Sequence, residues 1–237
     1  MTGLVIDQVS VARGGHTVVR EVSITAPLGE VTAILGPNGA GKSSLALGVA
    51  GLLRTTGGTV SIDGVDITHR RPDKVRAAGV SVVPEGRKLL PELSVADNLQ
   101  VSTYALSKGN SAGGIDYAMS LFPELEMRYD QLGSTLSGGQ QQMLVLAQGL
   151  VSHPKVLLVD ELSLGLAPIV IKRLVPTIES IAAAGVGVLL IEQFAHVALG
   201  LATTAYVMES ARIRYSGTAQ ELSDNPDLLH SAYLLRE

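Results

Sequence analysis

Cysteine is absent from the 237 residues, which excludes a disulfide framework, thiol catalysis and thiolate metal sites. Basic runs are scarce as well. Beyond the pairs Arg70-Arg71 and Arg87-Lys88 there is nothing like a phosphate-backbone footprint, and the formal net charge is −4, so nucleic acid is not the expected partner. No apolar stretch is long enough to cross a bilayer: the longest uncharged one, Ile181 to Ile191, falls well short of the roughly 20 residues required. Any membrane role is therefore expected to come through partner proteins. The opening Met1 to Asp7 has no basic region ahead of an apolar core, so no secretory signal is expected. What the sequence does have is apolar material, 46% hydrophobic residues with a mean hydropathy of +0.32, enough over residues 1–237 for one sizeable core or one domain with a smaller appended lobe.

The chemistry concentrates in Gly36-Pro37-Asn38-Gly39-Ala40-Gly41-Lys42-Ser43-Ser44, a complete match to G-x-x-x-x-G-K-[ST]. It follows the apolar run Val31 to Leu35 and precedes Leu45-Ala46-Leu47, which predicts strand, tight loop, helix. The glycines let the loop curl with its backbone N–H groups pointing inward, a nest at a helix N-terminus where a polyphosphate can sit. Lys42 adds a point charge for the β- and γ-phosphates, and the Ser43 hydroxyl is placed to ligand Mg²⁺. The plainer reading, a Gly-rich turn between strand and helix, leaves the complete motif to chance.

Upstream, short β-branched runs and turn residues over 3–35 predict an antiparallel β-layer leading into that strand, and Thr59 to Asp66, with its Asp63-Gly64 turn, predicts a hairpin that rejoins it. Pro72 and Asp73 open a short helix. Gly79 to Val83 reads as a buried strand ending at Pro84-Glu85-Gly86-Arg87, and the end of a core strand is where α/β folds place ligand contacts. From Ser94 the pattern turns helical, with Ser94 and Asp97 as a capping box, a flexible break over Gly109 to Gly114, and helix from Ile115 to Leu121. Roughly 88–152 is thus expected to be a helical lobe inserted between core strands. Within it, Leu136-Ser137-Gly138-Gly139-Gln140 precedes an apolar helix, and its glycine pair offers N–H groups to an anion with Ser137 and Gln140 as polar handles.

Val156 to Glu161 is an apolar strand ending in two carboxylates beside the predicted phosphate loop. There Asp160 can hold Mg²⁺ through water, and Glu161 can orient and deprotonate an attacking water. The competing use of such a pair is the N-terminus of a helix. Ser163 to Pro168 turns into a helix reaching about Ala184, and the strand Val186 to Ile191 ends in Glu192-Gln193. Strands at Ala205 to Met208 and Ile213 to Ser216, a helix capped by Thr218 to Glu221 and a terminal helix from Pro226 complete the prediction.

In this order the segments resemble the ATP-binding cassette family over essentially the whole chain: Gly36 to Ser44 its Walker A, Leu136 to Gln140 its signature, Val156 to Glu161 its Walker B, and Glu192-Gln193 its switch. More narrowly, Val83 to Arg87, Ser163 to Pro168, Ile191 to Gln193 and the ending Ser231 to Leu234 resemble an ATP-binding subunit of branched-chain amino-acid importers. The resemblance implies an α/β phosphate-loop NTPase, with a mostly parallel core sheet, an N-terminal antiparallel β subdomain and an inserted helical subdomain. It implies ATP and Mg²⁺ as cofactors and two cassettes paired head to tail, so that ATP on one phosphate loop is capped by Ser137, Gly138, Gly139 and Gln140 of the other. One chain cannot finish its own site. The partners it implies are a second cassette, like or unlike, two transmembrane permeases and, indirectly, a solute-binding protein, at the cytoplasmic face of the membrane. The groove beside the helical lobe is where the permeases would dock.

Several positions depart from the wider family. Glu85 stands for its glutamine and joins Ser43 and Asp160 as the expected metal set; Gln193 stands for its switch histidine, able to hydrogen-bond a γ-phosphate but not to titrate near neutrality. Arg13 stands where an aromatic usually stacks on adenine, with His16 as a second candidate, and Leu162 replaces a proline. A soluble cassette acting in repair or translation is the alternative within the family, although such proteins usually carry two cassettes or long insertions. A phosphate-loop kinase or GTPase would leave the 136–140 signature unexplained, and no Asn-Lys-x-Asp motif occurs. A nucleotide-binding module without turnover is disfavoured by Lys42, Asp160 and Glu161 together.

Overall fold

The computed structural model describes residues 3–104, 106, 108–225 and 227. Strands β1 (Gly3–Arg13) and β2 (His16–Pro27) form an antiparallel hairpin across Gly14-Gly15, with Arg13 opposite His16. The chain then leaves for a second sheet through β3 (Val31–Leu35), and helix α1 (Lys42–Val49) follows the glycine loop. Strands β4 (Thr55–Ile62) and β5 (Val65–Asp66) return to the first sheet, whose order is β2-β1-β4-β5. After α2 (Pro72–Ala77), β6 (Val80–Val83) enters the second sheet.

Helices α3 (Val95–Ser102), α4 (Lys108–Leu121), α5 (Pro123–Glu126) and α6 (Gly138–Leu150) then precede β7 (Val156–Asp160). Helix α7 (Pro168–Ala183), β8 (Gly187–Glu192), α8 (Ala195–Leu199), β9 (Thr204–Glu209), β10 (Arg212–Thr218) and α9 (Ala219–Asp224) follow. The second sheet runs β10-β9-β3-β8-β7-β6, parallel throughout except for the edge strand β10.

The uniform apolar runs are explained by burial on both sides. Along β7 every residue is buried, yet Leu157 and Val159 pack into the helix-covered core while Val156 and Leu158 face the core under the antiparallel sheet. A strand with no solvent face has no polar alternation to show.

Two expectations are corrected. The break over Gly109 to Gly114 does not exist, because α4 runs unbroken through it. Gly114 is buried there, and a Cβ on it would overlap the Val151 carbonyl oxygen just past α6, so close helix contact is what demands glycine. The second correction concerns Ser94. Its hydroxyl caps α3 by accepting from the Asp97 N–H at 3.0 Å, but the reciprocal arm is missing, since the Asp97 carboxylate takes the Ser94 hydroxyl at 2.6 Å. Aspartate is one methylene too short to imitate the Glu or Gln of a capping box. That box is complete at Thr218 and Glu221, as expected for α9. The terminal helix from Pro226 and the ending Ser231 to Leu234 lie outside the described residues.

Gly114→Ala sets two effects against each other. Alanine gains about 1 kcal/mol of helix propensity, but the forced shift of α4 from Val151 costs about 1–3 kcal/mol, as overpacking does. Denaturant titration is expected to show a net loss of stability.

Candidate active site

Strands β3, β8, β7 and β6 are parallel neighbours, so their carboxyl ends lie along one edge of the sheet. That edge carries the glycine loop, Glu192-Gln193, Asp160-Glu161 and Glu85 in turn. A cavity of about 410 Å³ opens there, lined by Asn38, Gly39, Gly41, Lys42, Ser43 and Ser44 of the loop and by Glu85 and Glu161 across from it. Arg13, Val18 and Leu164 complete its wall.

Backbone proximity shapes the loop. Gly36 (φ 150°) and Gly41 (φ 106°) sit where a Cβ would strike the Met208 and Val18 carbonyl oxygens respectively. Gly41 caps α1 with no side-chain hydrogen bond, leaving the first-turn N–H groups for a ligand. Lys42 is only 4% exposed, and its Nζ donates to the Gly36 carbonyl at 2.7 Å and the Pro37 carbonyl at 3.0 Å. Burial lowers its pKa, opposed by the negative charges of Glu161, Asp160, Glu192 and Glu85. The ammonium is therefore held in the loop mouth amid carboxylates.

Asp160 is not in the lining itself but is hydrogen-bonded to the Ser43 hydroxyl that is; it is 4% exposed, and its Oδ1 is buried with no partner. Burial first, then Glu161 and Glu85, push its carboxyl up to about 6, against the opposing pull of the Ser43 hydroxyl and Lys42. An orphaned carboxylate oxygen beside a serine hydroxyl is the donor set a hard divalent cation takes. Ser43, Asp160 and Glu85 would hold it with phosphate and water oxygens completing the shell. No group of three or more His, Cys, Asp or Glu makes a metal cage of its own among the described residues. Glu161 falls just past β7 with φ 52°, a left-handed backbone rare outside glycine, while its N–H donates to the Ile191 carbonyl at 2.9 Å. Partial burial and Glu85 raise its pKa, with Lys42 opposing.

Not every expected residue lines the cavity. Gly36, Pro37 and Ala40 are not in the lining, although the Gly36 and Pro37 carbonyls hold Lys42, and Gln193 stands half-buried outside it. Arg13 is in the wall, whereas His16, across the hairpin from it, is not. Ser137, Gly138, Gly139 and Gln140 are also absent from the lining. The Ser137 hydroxyl accepts from the Gln140 N–H while the Ser137 N–H donates to Gln140 Oε1 at 2.9 Å, so the two side chains cap α6 together.

Sequence reasoning named Glu192 only as part of the switch pair and missed its buried partner, and it gave Val18 and Leu164 no role. Glu192 is 1% exposed, and its carboxylate accepts from the Ser163 N–H at 2.9 Å and the Ser163 hydroxyl at 2.8 Å, fastening the loop after β7 to β8. Burial raises its pKa and those hydrogen bonds resist the rise. The available signal was a carboxylate closing a wholly apolar strand, which requires a buried partner. Glu192→Leu leaves the Ser163 N–H unpaired and is expected to cost about 1–3 kcal/mol in a thermal melt, whereas Glu192→Gln keeps an acceptor and stays close to wild type.

Residues 19–163 match the family model described as ABC transporter. The chain is 38% identical over 231 residues to the high-affinity branched-chain amino acid transport ATP-binding protein BraG of Pseudomonas aeruginosa, covering 98% of this chain and 99% of that one. It is 31% identical over 224 residues to the lipopolysaccharide export system ATP-binding protein LptB of Escherichia coli K12, covering 94% and 93%. Among solved structures, the ADP conformation of an ATP-binding cassette of an ABC transporter superposes with a TM-score of 0.85 at 26% identity, over 97% of this chain and 98% of that one.

Proposed function

Since this chain belongs to the ABC transporter family, we propose that it is the Mg²⁺-dependent ATPase subunit energising an importer of branched-chain amino acids or a related small polar solute. The observation that carries the reading is one cavity joining Lys42, Ser43 and Glu161, with Asp160, whose Oδ1 is orphaned, hydrogen-bonded to Ser43 of its wall. Lys42 and the α1 N-terminus bind the phosphates, Ser43, Asp160 and Glu85 would hold the cation, and Glu161 takes a proton from the attacking water. Bound Mg²⁺ supplies charge neutralisation at the phosphate oxygens. Arg13 and Val18 offer a guanidinium face and an apolar surface to the base.

Ser137 to Gln140 lie off this cavity, which supports a second cassette as their customer and a composite site. Gln193 is placed beside Glu192, from where domain closure would bring it to the γ-phosphate. The partners are that second cassette, two permeases and an external solute-binding protein, with this chain peripheral on the cytoplasmic face; no helix among the described residues is long and apolar enough to cross a membrane. A groove of about 420 Å³ beside the helical lobe, with exposed Leu52, Leu90 and Val101 on its walls, supports the permease contact. The helical lobe, about 88–152, is a part of one ATPase domain spanning 1–237.

Disruption of the chain in its own source is expected to abolish uptake of labelled leucine, isoleucine and valine, and the protein should co-purify with two polytopic chains and a second cassette. Recovery from the soluble fraction alone would leave a soluble cassette ATPase. The likeness to LptB supports a second reading, an export cassette; retained amino-acid uptake with lost lipid export would select it.

The raised Asp160 pKa gives a pH signature. Between the ordinary value of 3.8 and about 6 the folded carboxyl holds a proton that the unfolded one has lost, so the empty fold loses stability as pH rises through that window. A bound cation relieves the penalty by pairing with the ionised form. The rise in melting temperature given by MgATP is therefore expected to be larger at pH 8 than at pH 5.

A further inference from the structure

Arg87 belongs to none of the roles above, yet its side chain joins three parts of the site. It follows Glu85 on the loop after β6, and its Nη2 donates to the carbonyl of Gly165 at 3.0 Å, with the Leu164 carbonyl at 3.4 Å, in the loop after β7. The other side of the guanidinium lies on Gly138, the first residue of α6: a Cβ there would stand 3.0 Å from Nη1 and 3.4 Å from Cζ. A Cβ at 138 would require the guanidinium to give by a few tenths of an ångström.

This arrangement carries two local costs. Arg87 has φ 47°, a left-handed backbone that an arginine rarely adopts. Its cation also sits against a helix N-terminus, the positive end of the macrodipole, and no carboxylate pairs with it among the described residues. An anion received at Ser137 to Gly139 would remove the second cost, and the hydrogen bonds to Leu164 and Gly165 hold the guanidinium ready for it. Leu164 in turn lines the chain's own cavity together with Glu85.

We propose that Arg87 is a positioning residue that clamps the loop after β6 to the loop after β7 and, packed against Gly138, fixes where the N-terminus of α6 stands in the surface that caps the nucleotide of a second cassette. The functional half of this inference rests on the paired-cassette reading above; the clamp itself does not.

The test uses the full chain with Arg87→Ala, Arg87→Gly and Arg87→Lys. Glycine relaxes the left-handed backbone, so what Ala and Gly lose in common is owed to the guanidinium. Hydrogen exchange over 164–166 is expected to become about tenfold faster in both, the loss of the charge-assisted hydrogen bonds to Leu164 and Gly165, with 36–44 and the affinity for a fluorescent ATP analogue unchanged. Lysine, a single point donor, should restore part of the protection. Wild-type exchange in Ala and Gly, or full recovery in Gly, would overturn the clamp. In turnover measured against protein concentration, Arg87→Ala should raise the half-maximal concentration about tenfold at unchanged single-chain nucleotide affinity; an unmoved midpoint would overturn the positioning role. If wild-type turnover shows no dependence on concentration or on an added second cassette, the paired-cassette reading falls, while the exchange result still decides whether Arg87 holds the loop after β7.

Discussion

Glu161→Gln is expected to lower MgATP turnover by about 10²–10⁴-fold, the contribution of a positioned general base, while the nucleotide remains bound. The geometry says why the two effects should separate. Glutamine keeps the size of glutamate and can still hold a water, but it cannot accept that water's proton. The backbone at 161 is anchored independently of the side chain, by its N–H to the Ile191 carbonyl, so the exchange leaves the loop in place. Removing one negative charge from a cluster that also contains Asp160 and Glu85 should favour a polyphosphate through simple Coulomb attraction to Lys42. A stopped-turnover, nucleotide-retaining protein is the outcome, checked by phosphate release beside equilibrium binding of a fluorescent ATP analogue. Turnover equal to wild type would remove Glu161 from the chemistry.

The parts of this molecule written in local pattern were readable in the sequence. The strand, loop and helix around Lys42 follow from an apolar run, three glycines at fixed offsets and a helix-forming continuation. The carboxylates at 160–161 follow from the end of an apolar strand. What could not be read depends on contacts between distant segments. Glu192 and Ser163 are 29 residues apart, and Arg87 and Gly165 are 78 apart. Asn98 is a further case. In sequence it is one polar residue in a short helix, indistinguishable from a solvated position. In the fold it is wholly buried, donating to the carbonyls of Leu90, Leu93 and Ser94 and accepting from the Leu90 N–H at 2.8 Å. The glycines of α4 misled for a related reason: Gly114 is a requirement of helix contact with Val151, and glycine reads as flexibility when the neighbour is out of sight.

Lys42→Ala should act on binding where Glu161→Gln acts on rate. The Lys42 ammonium is the one cation that the loop itself brings into the cavity, buried and bonded to the Gly36 and Pro37 carbonyls until a phosphate replaces them. A hydrogen bond to a charged group is worth about 1.5–3 kcal/mol, so its removal is expected to weaken ATP by roughly 10- to 150-fold. The loss should be greatest for ATP and smallest for AMP, because a charge directed at the β- and γ-phosphates has no partner on AMP. The same substitution strips Asp160 and Glu161 of the positive charge that opposes their raised pKa values, so both carboxyls should move up further and the MgATP-bound pH window should narrow from the acid side. Lys42→Arg tests whether charge alone suffices. The ammonium fits between two backbone carbonyls of a loop that tolerates no Cβ at Gly36 or Gly41, and a planar guanidinium is too broad for that space. Arginine should therefore rescue little of the binding. Isothermal titration with ATP, ADP and AMP on the three proteins separates these outcomes, and undiminished ATP affinity in Lys42→Ala would take the phosphates away from this loop altogether.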